Sequence, residues 1–171
     1  KNILPREKGN VKIRFDKKYI YFEVENYTMI CLQVAGKYPN YNSVIPFNNP
    51  IKIIVDRLML LNSVRRVSVF CNQATNLIKL VFNEQQVNIS AEDIDFSISA
   101  EETIPCQLEG NPITIGFKAT YLIDILSNID SSDVVIELSD PSRAALISPL
   151  ENEENEEVLM LLMPMLLMDY D

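Results

Sequence analysis

One pattern constrains this chain more than any other: strand, helix, strand, strand, written twice. Ile51 to Val55 places apolar residues at alternate positions, Ile51, Ile53 and Val55, the period of a half-buried strand. Asp56 follows and suits the cap of a helix running from Arg57 to about Phe70. Leu77 to Asn83 and Gln86 to Ala91 then read as two strands. Ile113 to Phe117 repeats the first strand and Lys118 to Ile129 the helix. Asp133 to Ser139 and Ala144 to Ser148 repeat the closing pair. Such self-similarity signals an internal duplication. At about 100° per residue, Leu60, Leu61, Val64 and Val67 form one apolar stripe, with Asn62, Ser63 and Arg66 opposite. The second helix gathers Leu122, Ile125, Leu126 and Ile129, with Thr120 and Ser127 opposite. Each helix therefore lies on a sheet and turns its polar face away. The expected fold class is α+β, two helices packed on curved antiparallel sheets. Between the halves, Phe96 to Ser99 and Thr103 to Glu109 read as extended, and the last strand as Val158 to Met165.

The chain ahead of this unit is of another kind. Lys1 to Pro5 reads as the end of a helix without its start. Val11 to Phe15, Tyr19 to Glu25 and Thr28 to Val34 read as three strands, turning at Asp16-Lys17-Lys18 and Asn26-Tyr27. Three strands do not close a core alone, so the chain is expected to start inside a domain. Gly36 to Pro50 holds three prolines and several Asn, which disfavour regular structure. It reads as an extended connector anchored by Tyr38, Tyr41, Val44 and Ile45. The expected division is 1–36, an incomplete domain; 37–50, a connector; and 51–171, a complete domain.

Composition removes several chemistries. The chain has no His, so triads, zinc sites and general bases built on imidazole are excluded. The four glycines are too far apart to cradle a phosphate. Fifteen Lys+Arg against 24 Asp+Glu give a formal net charge of -9, which opposes wrapping of nucleic acid by the whole surface. Cys31, Cys71 and Cys106 are odd in number and widely spaced, which fits buried, reduced thiols and a cytoplasmic setting. The apolar run Val158 to Met168 is too short to span a bilayer and is broken by Pro164. No enzyme motif, metal site or cofactor is indicated.

Three features remain as candidate sites. Val69 and Phe70 lie off the first helix's stripe, which fits either burial under the next loop or a subunit contact. Glu151, Glu153, Glu154, Glu156 and Glu157 read as a solvated loop. The ending Leu161-Leu162-Met163-Pro164-Met165-Leu166-Leu167-Met168 is the least ordinary. Pro164 lacks a ladder donor, so the strand is expected to leave the sheet there, and Met-rich surfaces adapt to apolar peptides.

Taken together, the segments resemble one family. Lys37-Tyr38-Pro39-Asn40-Tyr41-Asn42-Ser43-Val44-Ile45-Pro46, Leu77-Ile78-Lys79-Leu80, Val87-Asn88-Ile89-Ser90-Ala91, Ile115-Gly116-Phe117 and Leu162-Met163-Pro164-Met165 resemble the bacterial DNA sliding clamp, the beta subunit of the replicative polymerase. The resemblance implies a clamp-type fold, with the end of a second domain and all of a third. It implies a non-catalytic processivity factor, a homodimeric ring sliding on duplex DNA. The ring would tether the polymerase catalytic subunit, the clamp loader and other proteins bearing a clamp-binding motif. The implied peptide groove comprises Pro39, Ser43, Val44, Thr75, Lys118, Tyr121, Ser142, Ala144, Leu161, Leu162, Met163, Pro164, Met165, Leu166 and Leu167. Ser43, Thr75 and Leu166 depart from the residue types common in the family at those places. The chain also runs on past the usual ending, through Met168-Asp169-Tyr170-Asp171. Asn62 and Arg66 would face DNA, and Val69, Phe70, Phe96, Ser97, Ile98 and Ser99 the other subunit. The alternative is a peptide-binding adaptor without a DNA role.

Overall fold

A computed structural model describes residues 9–152 and 154–167. The expected helix end at Lys1 to Pro5, Glu153, and the extra residues Met168 to Asp171 lie outside them. The chain divides into two units, residues 1–40 and 41–171, so the division falls inside the expected connector.

The smaller unit is a three-stranded antiparallel sheet of β1 (Lys12–Phe15), β2 (Tyr19–Val24) and β3 (Tyr27–Leu32). The second turn is Glu25-Asn26, not Asn26-Tyr27; Glu25 takes φ 49° and Tyr27 already pairs with Val24. Asp16 holds the first turn by accepting from the Lys18 and Tyr19 N–H groups. These bonds favour its ionised form and hold its pKa below the ordinary carboxylate value. Among the described residues of this unit, Val24 alone of the hydrophobic side chains is buried, as expected of a sheet that closes no core.

In the larger unit a short 3₁₀ turn, Tyr41–Ser43, interrupts the connector. Tyr41 and Val44 are exposed there, as is Tyr38 in the smaller unit. Ile45, the fourth expected anchor, is half-buried, and prolines and asparagines give this stretch no periodic face to bury.

The duplicated unit then begins: β4 (Ile51–Asp56), α1 (Arg57–Val67), β5 (Leu77–Phe82), β6 (Gln86–Asp93), β7 (Ile98–Pro105) and β8 (Gln107–Glu109). The second half is β9 (Ile113–Lys118), α2 (Ala119–Asn128), β10 (Asp133–Leu138), β11 (Ala145–Pro149) and β12 (Met160–Leu162). The halves exchange their first strands. β4 pairs along its six residues with β10, from Ile51 opposite Leu138 to Asp56 opposite Asp133. β9 pairs in the same way with β5, from Ile113 opposite Phe82 to Lys118 opposite Leu77. The sheets are β12-β11-β10-β4-β8 and β7-β6-β5-β9. Both helices pack over them, side by side.

Local chemistry explains the helix ends. The Asp56 carboxylate accepts from the Met59 N–H at 2.7 Å, satisfying one orphan donor of α1. Arg57 reaches the other helix, donating to the Leu126 carbonyl at 3.1 Å and the Ser131 carbonyl at 2.6 Å. A cation at the C-terminal end of α2 suits its dipole. The α helix stops at Val67, and a 3₁₀ turn, Ser68–Phe70, completes the run expected to be helical throughout.

Both stripes face the core: Leu60, Leu61, Val64, Val67, Leu122, Leu126 and Ile129 are buried, and Ile125 packs against them half-buried. Ser63 departs from expectation. It is fully buried, because β7 covers that flank of α1 and Glu102 takes its hydroxyl. Phe96 and Ser97 are not extended; they close the β6–β7 turn, with Ser97 at φ 53°. Cys71 and Cys106 are buried free thiols, whereas Cys31 is half-buried. Burial pushes the Cys71 thiol up to about 11, an inert state.

Candidate functional site

The chain ending is built by one proline and one glycine. β12 pairs with β11 through Met160, Leu161 and Leu162 and then stops. Pro164 has no N–H with which to continue. Met163 stands 59% exposed beyond the sheet. Two residues later the chain pairs again, on a different sheet: the Met165 N–H donates to the Gly116 carbonyl at 2.8 Å. β9, which carries Gly116, is the end strand of its sheet. A Cβ at Gly116 would lie 2.9 Å from the Met165 carbonyl oxygen and 2.8 Å from Leu167 Cδ2. Only glycine lets the segment lie this close. The expected single strand from Val158 to Met165 is therefore a three-residue strand, a crossover and a one-residue bridge. Leu162 does not leave the sheet; it is core, buried opposite Ala145.

The crossover walls a cavity of about 810 Å³ on the outer face of the β7-β6-β5-β9 sheet. Thr75, Met165, Leu166 and Leu167, all expected groove residues, line it together. Sequence reasoning missed its other walls, among them Asn72, Leu77, Lys79 and Glu92. Lys79, Ser90 and Glu101 follow the sheet register and share that face. Strand alternation carried this signal but was read only for its buried side.

The remaining groove residues lie apart from this cavity. Lys118 and Tyr121 form a pair at the start of α2, the ammonium 5.2 Å from the ring centroid, with Tyr121 exposed. Ser142 sits in a tight turn, its N–H and hydroxyl donating to Asp140. These bonds hold the Asp140 carboxyl below its ordinary value. Ala144 is buried and Leu161 half-buried. Ser43 and Val44 belong to the larger unit's 3₁₀ turn, where the Val44 N–H donates to the Tyr41 carbonyl. Pro39 belongs to the smaller unit.

The residues expected at a subunit contact cluster where β6, β7 and the 3₁₀ turn meet. Val69 is 74% exposed, so the following loop does not cover it, whereas Phe70 is half-buried. Phe96 in the β6–β7 turn and Ile98 at the start of β7, itself an end strand, stand exposed. Of the pair expected to face DNA, Asn62 is exposed. Arg66 is engaged by a carboxylate: its Nε and Nη2 each meet Glu102 at 2.6 Å. The Ser63 hydroxyl donates to the same carboxylate, also at 2.6 Å. The Arg66 guanidinium first, and then Ser63, hold the Glu102 carboxyl down to about 2. Among the described residues no group of side chains suits a metal ion.

Two interlocked strand–helix–strand–strand halves, with helices together and sheets behind them, define the class: an α+β clamp-type domain. The family described as DNA polymerase III beta subunit, C-terminal domain, matches residues 42–165, and the chain belongs to it. A beta sliding clamp of Pseudomonas putida is 28% identical over 158 residues, 92% of this chain and 43% of that protein. A crystal structure of a sliding clamp from Bartonella birtlesii is 33% identical at a TM-score of 0.83, covering 95% of this chain and 42% of its own. One from Pseudomonas aeruginosa is 27% identical at a TM-score of 0.82, covering 92% of this chain and 42% of its own. The chain thus spans less than half the length of the relatives it matches.

Proposed function

We propose that this chain is part of a processivity factor: a homodimeric ring that encircles duplex DNA and tethers replication proteins to it. The observation that carries the reading is the helix pair, which turns a polar face outward at Asn62, Arg65, Thr120 and Ser127. A sliding ring needs such a lining, wettable and without base-reading contacts. Two further features support it: membership of the beta-subunit family and the open edge of β7 beside Val69, Phe96 and Ile98. That edge offers unpaired backbone groups to the partner subunit. The role is tethering, a gain in effective concentration, and involves no catalysis. Its setting is the bacterial cytoplasm. Among the described residues no helix is long and apolar enough to cross a membrane.

Partners would be the polymerase catalytic subunit, the clamp loader and other proteins with a short Gln- and Leu-containing motif. The motif would enter a groove formed by the connector at Ser43 and Val44, by Tyr121, and by Met163, Pro164 and Met165. A short peptide buries little area, so its affinity would be about micromolar, on the order of -8 kcal/mol. The test is topological. The complete protein is loaded onto a nicked circular duplex with a clamp loader and washed in high salt. A ring stays on the circle and runs off when the DNA is linearised. Equal retention on circle and linear duplex, or on neither, rejects the reading.

A further inference from the structure

The two adjacent arginines of α1 face different neighbours. At 3.6 residues per turn, Arg65 lies about 60° to one side of Asn62 and Arg66 about 40° to the other. Arg66 leans toward β7 and meets Glu102 through two donors, while Ser63, one turn back, holds the same carboxylate from beneath. Its guanidinium fork is filled and its charge cancelled. Arg65 leans toward α2 and makes one neutral hydrogen bond, to the Ser127 hydroxyl at 3.2 Å. It has no ion pair among the described residues. The third cation of α1, Arg57, is spent on the Ser131 and Leu126 carbonyls, and α2 carries no Lys or Arg.

We infer that Arg65, seated on the α1–α2 seam with Ser127, is this domain's phosphate contact, and that Arg66 is a positioning residue that pins the edge strand β7 through Glu102. The inference rests on the ring reading and divides its labour: one arginine for DNA, the next for the subunit edge. An uncancelled guanidinium meets a passing phosphate without first breaking an ion pair. Fixing β7 by its middle residue sets the line of its unpaired edge before the partner subunit arrives.

The test uses the complete protein. Duplex binding is measured against salt for wild type, Arg65→Ala, Arg65→Lys, Arg66→Ala and Glu102→Gln. Amide exchange along residues 98–105 is followed in the same proteins. Arg65→Ala should reduce the slope of log K against log salt by about 0.9 per subunit, and Arg65→Lys should restore it. Arg66→Ala should leave the slope unchanged and speed exchange in β7. Glu102→Gln should steepen the slope, because it releases the Arg66 charge. A slope reduced as much by Arg66→Ala as by Arg65→Ala overturns the division, as does exchange in β7 that ignores Arg66. Salt-resistant binding of the wild-type protein to a short linear duplex, which a ring would slide off, instead sinks the ring reading, and this assignment with it.

Discussion

The two halves of the larger unit follow one plan and finish differently. In the half that carries α1, the last strand of its own sheet is β7, eight residues paired along their length with β6. The half that carries α2 ends on β12, three residues long, after which the chain crosses to the Gly116 edge of β9. One half thus leaves a long edge open, and the other uses its last residues to cover part of an edge. An open edge invites pairing with another chain. The duplication supplies the frame, and the unequal endings leave it with two different edges, one open and one partly covered.

The strand exchange makes the sharpest test of that shared frame. Phe117 in β9 and Val55 in β4 hold equivalent places, each one residue before the end of its strand and each buried. Neither half can keep its core without a strand from the other. Phe117→Ala is expected to cost about 3–5 kcal/mol, and Val55→Ala less because fewer buried atoms are lost. Denaturant unfolding should show one transition for the larger unit in both variants. Separate transitions for the halves would break the comparison.

The ending is tested next. Deleting Met163 onward removes the crossover but keeps Leu162 opposite Ala145, so the fold should survive. Titration with a fluorescent Gln- and Leu-containing peptide should go from about micromolar to undetectable. Tyr121→Ala should weaken binding by about 1–2 kcal/mol as an exposed aromatic anchor. A folded, truncated chain that binds like wild type would place the groove elsewhere.

Much of this frame was legible in the chain itself. The buried stripes of both helices and most strand ends followed from periods of 3.6 and 2, which need only local residues. The exchange of β4 and β9 was not legible, because pairing partners are a long-range property. Ser63 was misjudged for a related reason: periodicity places it off the stripe, and only the arrival of β7 buries it. In the site, Pro164 announced the end of the pairing, yet Leu162 belongs to the core because it pairs with Ala145 and is buried before the strand ends. The outer-face cavity escaped because Lys79, Ser90 and Glu101 come from three different strands and are joined only by sheet register.

The helix starts offer a finer contrast. Both first N–H groups donate to a carbonyl of the other half, Arg57 to Ser132 and Ala119 to Asn76. The side-chain caps differ: Asp56 accepts from Met59, whereas Lys118 makes no capping bond. Asp56→Ala should cost about 1 kcal/mol. Lys118→Ala should stay within about 0.5 kcal/mol, read as shifts in thermal midpoint. Equal losses would mean that the caps do not distinguish the halves.

The smallest expected effect concerns how each edge is held. β12 is held by backbone pairing and by buried Leu162, neither of which titrates. β7 is held partly by Glu102, whose carboxyl is drawn from an ordinary 4.5 to about 2 by Arg66 and then by Ser63. A carboxylate with a lowered folded value stabilises the fold fully above the unfolded value, and that contribution fades as pH falls through the folded one. The window is therefore about pH 4.5 down to 2, with stability falling as acid is added. Other carboxylates titrate there as well, so the useful quantity is the difference in unfolding midpoint between wild type and Glu102→Gln. Wild type should lead above about pH 5, and its lead should shrink steadily toward pH 2, while Leu162→Ala should trail wild type by a margin that acid does not change. A lead that stays constant across the window would mean that β7, like β12, is held without its ion pair.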